Sequence, residues 1–216
     1  MLVDLSHPIA DGMAAYPGLP PAIVGPILDH DASRDRYQGK AEFYLGRFEI
    51  ACNTGTYLDA PFHRHRDGDD LSQVGIERVA GLPGIVIDAP DEAGAVPLDL
   101  TGKDLTGKAV LVRTGRDEAW DTDEYWAASP FIDADTATSL LDAGIALLGV
   151  DFGNVDDTTD PERPVHTGLL AAGIPIVENL RGLSGLPGSG FRFTAAPLAV
   201  VGGATMPVRA FAEVPG

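Results

Sequence analysis

The stretch HTGLLAAGIPIVENL, residues 166–180, joins two patterns of secondary structure. Its first half, HTGLLAAG (166–173), predicts a short helix that ends at a glycine. Its second half, IPIVENL (174–180), is an apolar run of strand length that reaches Glu178 near its end. Because a helix is followed directly by an apolar strand, this stretch predicts a fold that mixes both element types.

Apolar runs of strand length recur along the chain and are punctuated by Gly, Pro and Asp. They are residues 21–28, 42–52, 84–90, 109–115, 145–152, 174–180, 197–203 and 207–214. DADTATSLLDAG (133–144) predicts a further helix, because it starts with acidic residues and Thr and stops at Gly. We therefore predict a single mixed α/β domain over residues 1–216 with more strand than helix.

Composition argues against several classes of partner. The 216 residues carry 32 acidic side chains against 15 basic ones, a formal net charge of -17, and a field of that sign repels nucleic acid and anionic membranes. Cys52, the single cysteine, permits no intrachain disulfide, and its place at the end of an apolar run predicts a small buried hydrophobe. The sequence has no signal-like amino terminus and no apolar run of about 18 residues, so we expect a cytoplasmic protein.

The segment NTGTYLDAPFH (53–63) holds an acid and a histidine four residues apart, Asp59 and His63, with Pro61 between them. Proline argues against a regular helix there, so the two side chains are expected to converge on a tight bend. Such a couple can bind a divalent cation or transfer protons. A plain turn or capping role is the commoner use of the same spacing. His7 and His30 are predicted in surface or structural positions, and His65, which lies between Arg64 and Arg66, is predicted to face solvent.

A second region contributes His166 and Glu178, at the start of the predicted helix and near the end of the following strand. If the two regions meet, these residues and the Asp59–His63 pair form a mixed nitrogen and oxygen set that suits Zn or Mn. Spacing alone does not show that they meet. Other chemistries have less support in the sequence, since the chain has no G-x-S-x-G elbow, no P-loop and no G-x-G-x-x-G after a strand.

Three stretches together resemble the cyclase family of metal-dependent hydrolases, whose members include bacterial kynurenine formamidase and isatin hydrolase. DLSHPIADGMAAYPG (4–18) is similar to the family's opening pattern, D-x-S-x-P-x-x-x-x-M-x-x-Y/W-P-G. RPVHTGLLAAGIPIVENLRGL (163–183) resembles H-x-x-L-L-x-x-G-I-P-I-x-E-N-L. NTGTYLDAPFH matches the hallmark H-x-G-T-H-x-D-x-P-x-H at five positions: Gly55, Thr56, Asp59, Pro61 and His63.

This resemblance implies a fold, an assembly and a reaction. The fold is a strand-rich, swivelling β/β/α domain, assembled into homodimers or homotetramers. The reaction is hydrolysis of an amide or lactam carbonyl of a small aromatic substrate by a metal-bound water, as in the arylformamidases of tryptophan and kynurenine catabolism. By the same resemblance, Asp59, His166 and Glu178 bind a divalent ion, Zn or Mn. His63 shuttles protons.

The chain departs from the hallmark at Asn53 and Tyr57, which stand where the family has histidines. An Asn carbonyl oxygen and a neutral phenol are weak ligands for Zn or Mn, so we expect one ion rather than two. Asn53, Tyr57 and Phe62 then become candidates for substrate binding. The alternative is a metal-poor relative that binds a small ligand without hydrolysing it or catalyses a metal-independent reaction. Three nearby aromatic residues are expected to pack mostly in the core: Phe43, Tyr44 and Phe48.

Overall fold

A computed structural model describes residues 1–14, 16–127 and 129–216. The described chain forms two compact units. The larger unit comprises Met1–His7 and Gly55–Gly216, and the smaller unit comprises Pro8–Thr54. The assignment of a single domain over residues 1–216 stays a prediction.

The secondary structure is rich in strands and confirms the mixed α/β class. The strands are β1 (Leu2–Asp4), β2 (Ile23–Leu28), β3 (Leu45–Glu49), β4 (Tyr57–Asp59), β5 (Leu82–Asp88), β6 (Gly94–Ala95), β7 (Ala109–Arg113), β8 (Pro130–Phe131), β9 (Leu147–Val150), β10 (Ile176–Glu178), β11 (Ser189–Thr194), β12 (Thr205–Pro207) and β13 (Phe211–Glu213). The α-helices are α1 (His30–Arg36), α2 (Asp123–Trp126), α3 (Ala134–Asp142) and α4 (Pro164–Ala171). Short 3-10 helices cover Pro61–His63, Ile76–Arg78, Arg116–Ala119 and Leu183–Gly185.

The larger unit is built on one sheet, whose described strands run in the order β1-β13-β11-β5-β7-β9-β10-β4-β12. Its centre, β5-β7-β9-β10, is parallel, and the strands on either side pair antiparallel. Successive residues of a strand point to opposite faces. Ala109 and Leu111 of β7 accordingly join one apolar core, while Val110 and Val112 join a second. Because both faces of the central strands are buried, these segments read as continuous apolar runs in the sequence.

Two predicted helices are confirmed, with small shifts of their ends. Helix α3 begins after Asp133, whose carboxylate accepts a hydrogen bond from the Thr136 amide at 2.7 Å. Helix α4 has Pro164 in its first turn and is followed by Gly173, whose φ of +72° suits the residue that ends a helix. Val165 and Leu169 of α4 are fully buried in the second core, which stabilises the docked helix by about 1.5–3 kcal/mol per side chain.

In the smaller unit, β2 and β3 pair antiparallel, with α1 between them in the sequence. All five positions of β3 are exposed. Phe43, Tyr44 and Phe48 are exposed too, so the expectation that they pack mostly in the core is wrong. In the described part of this unit, residues 8–14 and 16–54, two strands and one short helix supply too few layers to cover their apolar side chains.

Three other predictions, two in the larger unit and one in the smaller unit, are wrong. Residues 197–203 form no strand, and Leu198 and Val201 in this run are largely exposed. The run 207–214 is divided between the end of β12 and all of β13 rather than forming one strand. Cys52 is exposed instead of buried. Among the described helices, none is long and apolar enough to cross a membrane.

Candidate metal centre

The sheet register brings the two predicted carboxylate ligands together. Strands β4 and β10 pair antiparallel, with Asp59 opposite Ile176 and Tyr57 opposite Glu178. Directly opposed residues, and residues two apart on one strand, share a face of the sheet. Asp59, Tyr57 and Glu178 therefore project to the same side as Ile176, which belongs to the core that α4 covers.

Helix α4 supplies the imidazole of His166 to this face. The His166 Nε2 atom lies 3.6 Å from Asp59 Oδ2 and 3.6 Å from Glu178 Oε1. One ligand atom from each of Asp59, His166 and Glu178 falls within 4.8 Å of the others, and all three residues are buried. The structure thus brings together the two regions that the sequence left separate.

Asp156 fixes the orientation of His166. Its Oδ2 atom lies 2.6 Å from His166 Nδ1, and the same carboxylate accepts hydrogen bonds from the backbone amides of Val165 and His166 at 2.7 and 3.1 Å. A carboxylate bound to one ring nitrogen sets the tautomer and directs the other nitrogen toward a metal. Asp156 was not predicted from the sequence, because nothing in the acidic loop before α4 distinguishes this aspartate from its neighbours.

The electrostatics of the cluster favour a positive charge at its centre. Burial disfavours the charged imidazolium of His166, yet the hydrogen bond to Asp156 and the negative charges of Glu178 and Asp59, each 3.6 Å from Nε2, outweigh it and raise its pKa to about 10. Burial raises the pKa of Glu178 to about 7, although the His166 charge and the hydrogen bond from Tyr57 oppose that change. Because the carboxylates stabilise a proton on His166, a divalent cation can take over the same role.

Asp59 has the fewest hydrogen bonds of the three candidate ligands. Both of its carboxylate oxygens are buried, and neither has a hydrogen-bond partner in the described part of the chain. An uncompensated buried carboxylate costs several kcal/mol or more, unless a counter-charge is placed beside it. A bound cation supplies that counter-charge, so the donor set fits a divalent metal ion.

His63 lies at the edge of the same cluster, on the bend that the sequence predicted. It ends a 3-10 helix that begins at Pro61, and its Nδ1 atom is 4.0 Å from Asp59 Oδ1. Its ring centroid is 5.6 Å from that of His166, and 35% of its side chain is exposed. Burial lowers the pKa of His63, an effect that the charge of Asp59 opposes. A neutral imidazole between solvent and the carboxylates can accept a proton.

The three remaining candidates occupy different surroundings. Tyr57 is 1% exposed, and its hydroxyl donates a hydrogen bond to Glu178 Oε2. Phe62 is half-buried in the 3-10 helix beside His63. Asn53 belongs to the smaller unit and lies in its last turn. The catalytic, ligand and substrate roles of these residues stay predictions.

A group of aromatic side chains, which the sequence analysis also missed, borders the residue after Glu178. The Tyr125 hydroxyl donates to Asn179 Oδ1 at 2.7 Å, and the Asn179 amide donates to the Gly55 carbonyl at 2.8 Å. Trp120 and Trp126 each contact the ring of Tyr125 edge-on, with centroids 4.8 and 5.0 Å apart. No local spacing links residues 120–126 to residue 179, so this proximity is a product of the fold.

The three histidines that were not assigned to the site, His7, His30 and His65, differ in their surroundings. His30 is exposed. His7 is buried, and its ring stacks on Trp120 at a centroid distance of 3.9 Å. His65 is half-buried, and its Nε2 atom lies 2.9 Å from the Thr167 carbonyl oxygen of α4. This contact joins the segment after the 3-10 helix Pro61–His63 to α4.

Comparison with known proteins gives consistent matches. The family model named Cyclase matches residues 3–157. The chain is 30% identical to the kynurenine formamidase of Salinibacter ruber over 211 residues, which cover 97% of this chain and 95% of that protein. It is similar to isatin hydrolase A from Ralstonia solanacearum with a TM-score of 0.82 and 25% identity, over 100% of this chain and 92% of that one. A potential metal-dependent hydrolase with cyclase activity shares the fold at a TM-score of 0.80 and 24% identity, over 100% and 98% of the two chains.

Proposed function

Since the chain belongs to the cyclase family of metal-dependent hydrolases, we propose that it hydrolyses an amide or lactam carbonyl of a small aromatic substrate. The names kynurenine formamidase and isatin hydrolase, carried by similar proteins, describe cleavage of such C–N bonds. The observation that carries the proposal is the convergence of Asp59, His166 and Glu178 around a buried point, where neither Asp59 oxygen has a hydrogen bond in the described structure.

Asp59, His166 and Glu178 are the residues that would hold the ion, with Zn or Mn as the metal. An ion held by these residues would supply Lewis-acid chemistry, which activates water and polarises a carbonyl. One ion suits this set, because two carboxylates balance its two positive charges. Asn53 and Tyr57 replace the imidazoles that a second ion requires in the family pattern.

His63 is the proposed proton shuttle. Its partial exposure gives it access to solvent and substrate, and its position 4.0 Å from Asp59 keeps it at the reacting centre. With a lowered pKa, the imidazole is neutral near pH 7 and can take a proton from water, then return it to the leaving nitrogen. General acid–base assistance of this kind contributes roughly 100- to 10,000-fold in rate.

The aromatic nature of the substrate is supported by the rings near Asn179. Trp120 and Trp126 are half-buried and pack edge-on against the fully buried Tyr125, whose hydroxyl donates to the residue after Glu178, so the two indole rings are the candidate substrate contacts. Aromatic side chains bind planar rings through offset stacking and edge contacts. Phe62 beside His63 is a further candidate contact. The high negative charge supports a small-molecule substrate rather than nucleic acid or an anionic membrane.

The alternative function, a metal-poor binding protein or a metal-independent enzyme, is not favoured. Proteins similar to this chain over nearly their whole length carry hydrolase names. The chain also retains a complete carboxylate and imidazole set at one position, despite losing two hallmark histidines.

The decisive experiment measures metal content and the hydrolysis of N-formylkynurenine and isatin. We expect the wild-type protein to bind one equivalent of Zn or Mn and to hydrolyse at least one of these probes. Glu178→Ala should lose both metal and activity. His63→Ala should keep the metal and lose roughly 100-fold or more in kcat.

The matched control is His30→Ala, which removes an exposed histidine and should change neither the metal content nor the rate of hydrolysis. A wild-type protein that binds no ion even with added Zn or Mn, or activity that survives both the His63 and Glu178 changes, contradicts the proposed mechanism.

We also propose a homodimer or homotetramer and a cytoplasmic location. Self-association is supported by the smaller unit, where Ile27 and Phe48 are each 63% exposed on the β2–β3 pair; apolar surface of that kind commonly marks a protein interface. Ile27→Glu with Phe48→Glu should shift the mass measured by light scattering to that of a monomer. A cytoplasmic location accords with a lone cysteine that cannot form an intrachain disulfide.

A further inference from the structure

We propose that Tyr57 is a positioning residue, which holds the Glu178 carboxylate in its ion-binding orientation and is not itself a metal ligand. This inference rests on the proposed single-ion hydrolase. It gives a role to a residue that, by comparison with the family pattern, has lost its function as a ligand.

The sheet register makes the contact between Tyr57 and Glu178 obligatory. The two residues are directly opposite on β4 and β10, and each is 1% exposed. Opposed residues of an antiparallel pair have their Cβ atoms about 4.5–5.5 Å apart. Tyr57 therefore reaches Glu178 without any loop having to adopt a particular conformation.

The Glu178 carboxylate is held from two directions. The Tyr57 hydroxyl donates to Oε2, and the Val155 amide donates to Oε1 at 2.8 Å. Two donors on different oxygens fix both the position and the plane of the carboxylate. Its Oε1 atom also lies 3.6 Å from His166 Nε2, and each carboxylate oxygen keeps acceptor capacity for an ion.

Charge balance argues against a direct bond from Tyr57 to the ion. A divalent cation is neutralised by the carboxylates of Asp59 and Glu178, with His166 as a neutral ligand. A phenolate would add a third negative charge to a buried site and would remove the hydrogen that Tyr57 donates to Glu178. The neutral phenol satisfies Glu178 and leaves the charge of the site unchanged.

Tyr57 and Asp156 thus have parallel roles on two ligands. Asp156 orients His166, and Tyr57 orients Glu178. Asp59 differs, since neither of its oxygens has a hydrogen-bond partner among the residues described. Loss of a residue that orients a metal ligand typically lowers metal affinity by about 10- to 100-fold.

The test is Tyr57→Phe, which removes one hydroxyl and preserves the ring. We expect the dissociation constants for Zn and Mn, measured by titration calorimetry or chelator competition, to rise by about 10- to 100-fold. Stoichiometry should return to one ion per chain when metal is in excess. The visible absorption spectrum of the cobalt-substituted protein should also change, because the geometry at Glu178 changes.

The matched control is Tyr125→Phe, which removes another buried tyrosine hydroxyl whose partner is Asn179 rather than a proposed ligand. It should leave metal affinity and the cobalt spectrum unchanged. Circular dichroism and melting curves identify any general loss of structure. Tyr57→Gln provides a second variant, because its amide can donate to Glu178; it should bind metal more tightly than Tyr57→Leu.

The outcomes separate this inference from the proposed function. If the wild type binds one ion and Tyr57→Phe binds it equally well with an unchanged cobalt spectrum, the positioning role is wrong and the hydrolase proposal stands. If the wild type binds no ion, both proposals fail. If Tyr57→Phe and Tyr125→Phe weaken binding to the same extent, the effect is a general one of buried hydroxyls, and the role assigned to Tyr57 is also wrong.

Discussion

Two histidines of the larger unit are buried to a similar degree and have opposite electrostatic surroundings. His166 is 5% exposed and His7 is 8% exposed. The pKa of His166 is raised to about 10, whereas burial, assisted by the charge of Arg181, lowers that of His7 to about 4. His166 faces carboxylates through both ring nitrogens. His7 stacks on Trp120, and its Nε2 atom has no hydrogen-bond partner in the described structure.

The difference shows that burial alone does not decide what a histidine does. Desolvation disfavours the imidazolium at both positions, so the direction of the pKa change depends on neighbouring charges. At the β4–β10 face, three carboxylates from different segments outweigh desolvation: Asp59, Asp156 and Glu178. Beside His7, an indole ring and a guanidinium group offer no such compensation. The first environment suits a cation, and the second suits a neutral ring.

The largest effect should come from removing His166. We expect His166→Ala to reduce metal affinity by more than the roughly 10- to 100-fold that loss of an orienting residue causes, because it removes a proposed ligand and leaves carboxylates facing one another. His7→Ala should leave metal affinity within twofold of the wild-type value. Calorimetric titration of both variants with Mn checks the comparison, and equal losses in the two would contradict it.

A smaller effect is expected from Asp156→Asn. The amide oxygen can still accept hydrogen bonds from the backbone at the start of α4, but it carries no charge to strengthen the bond to His166 Nδ1. We expect metal affinity to fall by about 10-fold, the lower end of the range for such partners. The neighbouring change Asp157→Asn should have no effect on metal affinity, since in the described structure the Asp157 carboxylate accepts hydrogen bonds only from the amide and hydroxyl of Thr159. Chelator competition at fixed pH measures both values.

Much of the fold could be predicted because its signals are local. The central strands are buried on both faces, so β7 and β9 appear as uninterrupted apolar runs, and α3 is marked by its capping residue Asp133 and the terminating Gly144. The run 197–203 is also rich in apolar residues but pairs with no strand, so its composition predicted a strand that the structure does not contain at these residues. Exposure of β3 was also beyond prediction, because it depends on which layers surround a strand.

The individual candidate residues of the site could be predicted from the sequence, but their proximity could not, because it depends on the sheet register. Pro61 made the bend between Asp59 and His63 predictable, and the two side chains do approach within 4.0 Å. The meeting of Asp59 with Glu178 depends on the pairing of β4 with β10, which are more than 100 residues apart in the chain. Asp156 and Tyr125 gave no local signal, because their roles come from hydrogen bonds made across the fold.

The smallest effect is expected at His7, and it concerns stability. Because the folded-state pKa lies below the ordinary value of 6.5, the unfolded chain takes up a proton first as the pH falls. This group therefore lowers the free energy of unfolding progressively from about pH 6.5 to about pH 4. His7 and Trp120 border a pocket that is open to solvent. We therefore expect the contribution of His7 to lower the free energy of unfolding by about 1 kcal/mol between pH 7 and pH 5, which is less than its full pKa shift implies.

His7→Phe keeps an aromatic ring against Trp120 and removes the titrating nitrogen. Relative to the wild type, this variant should therefore become more stable by about 1 kcal/mol as the pH falls from 7 to 5. His30→Phe, which removes an exposed histidine, should show no such relative change. Urea denaturation at the two pH values measures the difference. A pH dependence that is the same in His7→Phe and in the wild type would show that His7 has the same pKa in the folded and unfolded states, and the contrast with His166 would then lie in ligand geometry alone.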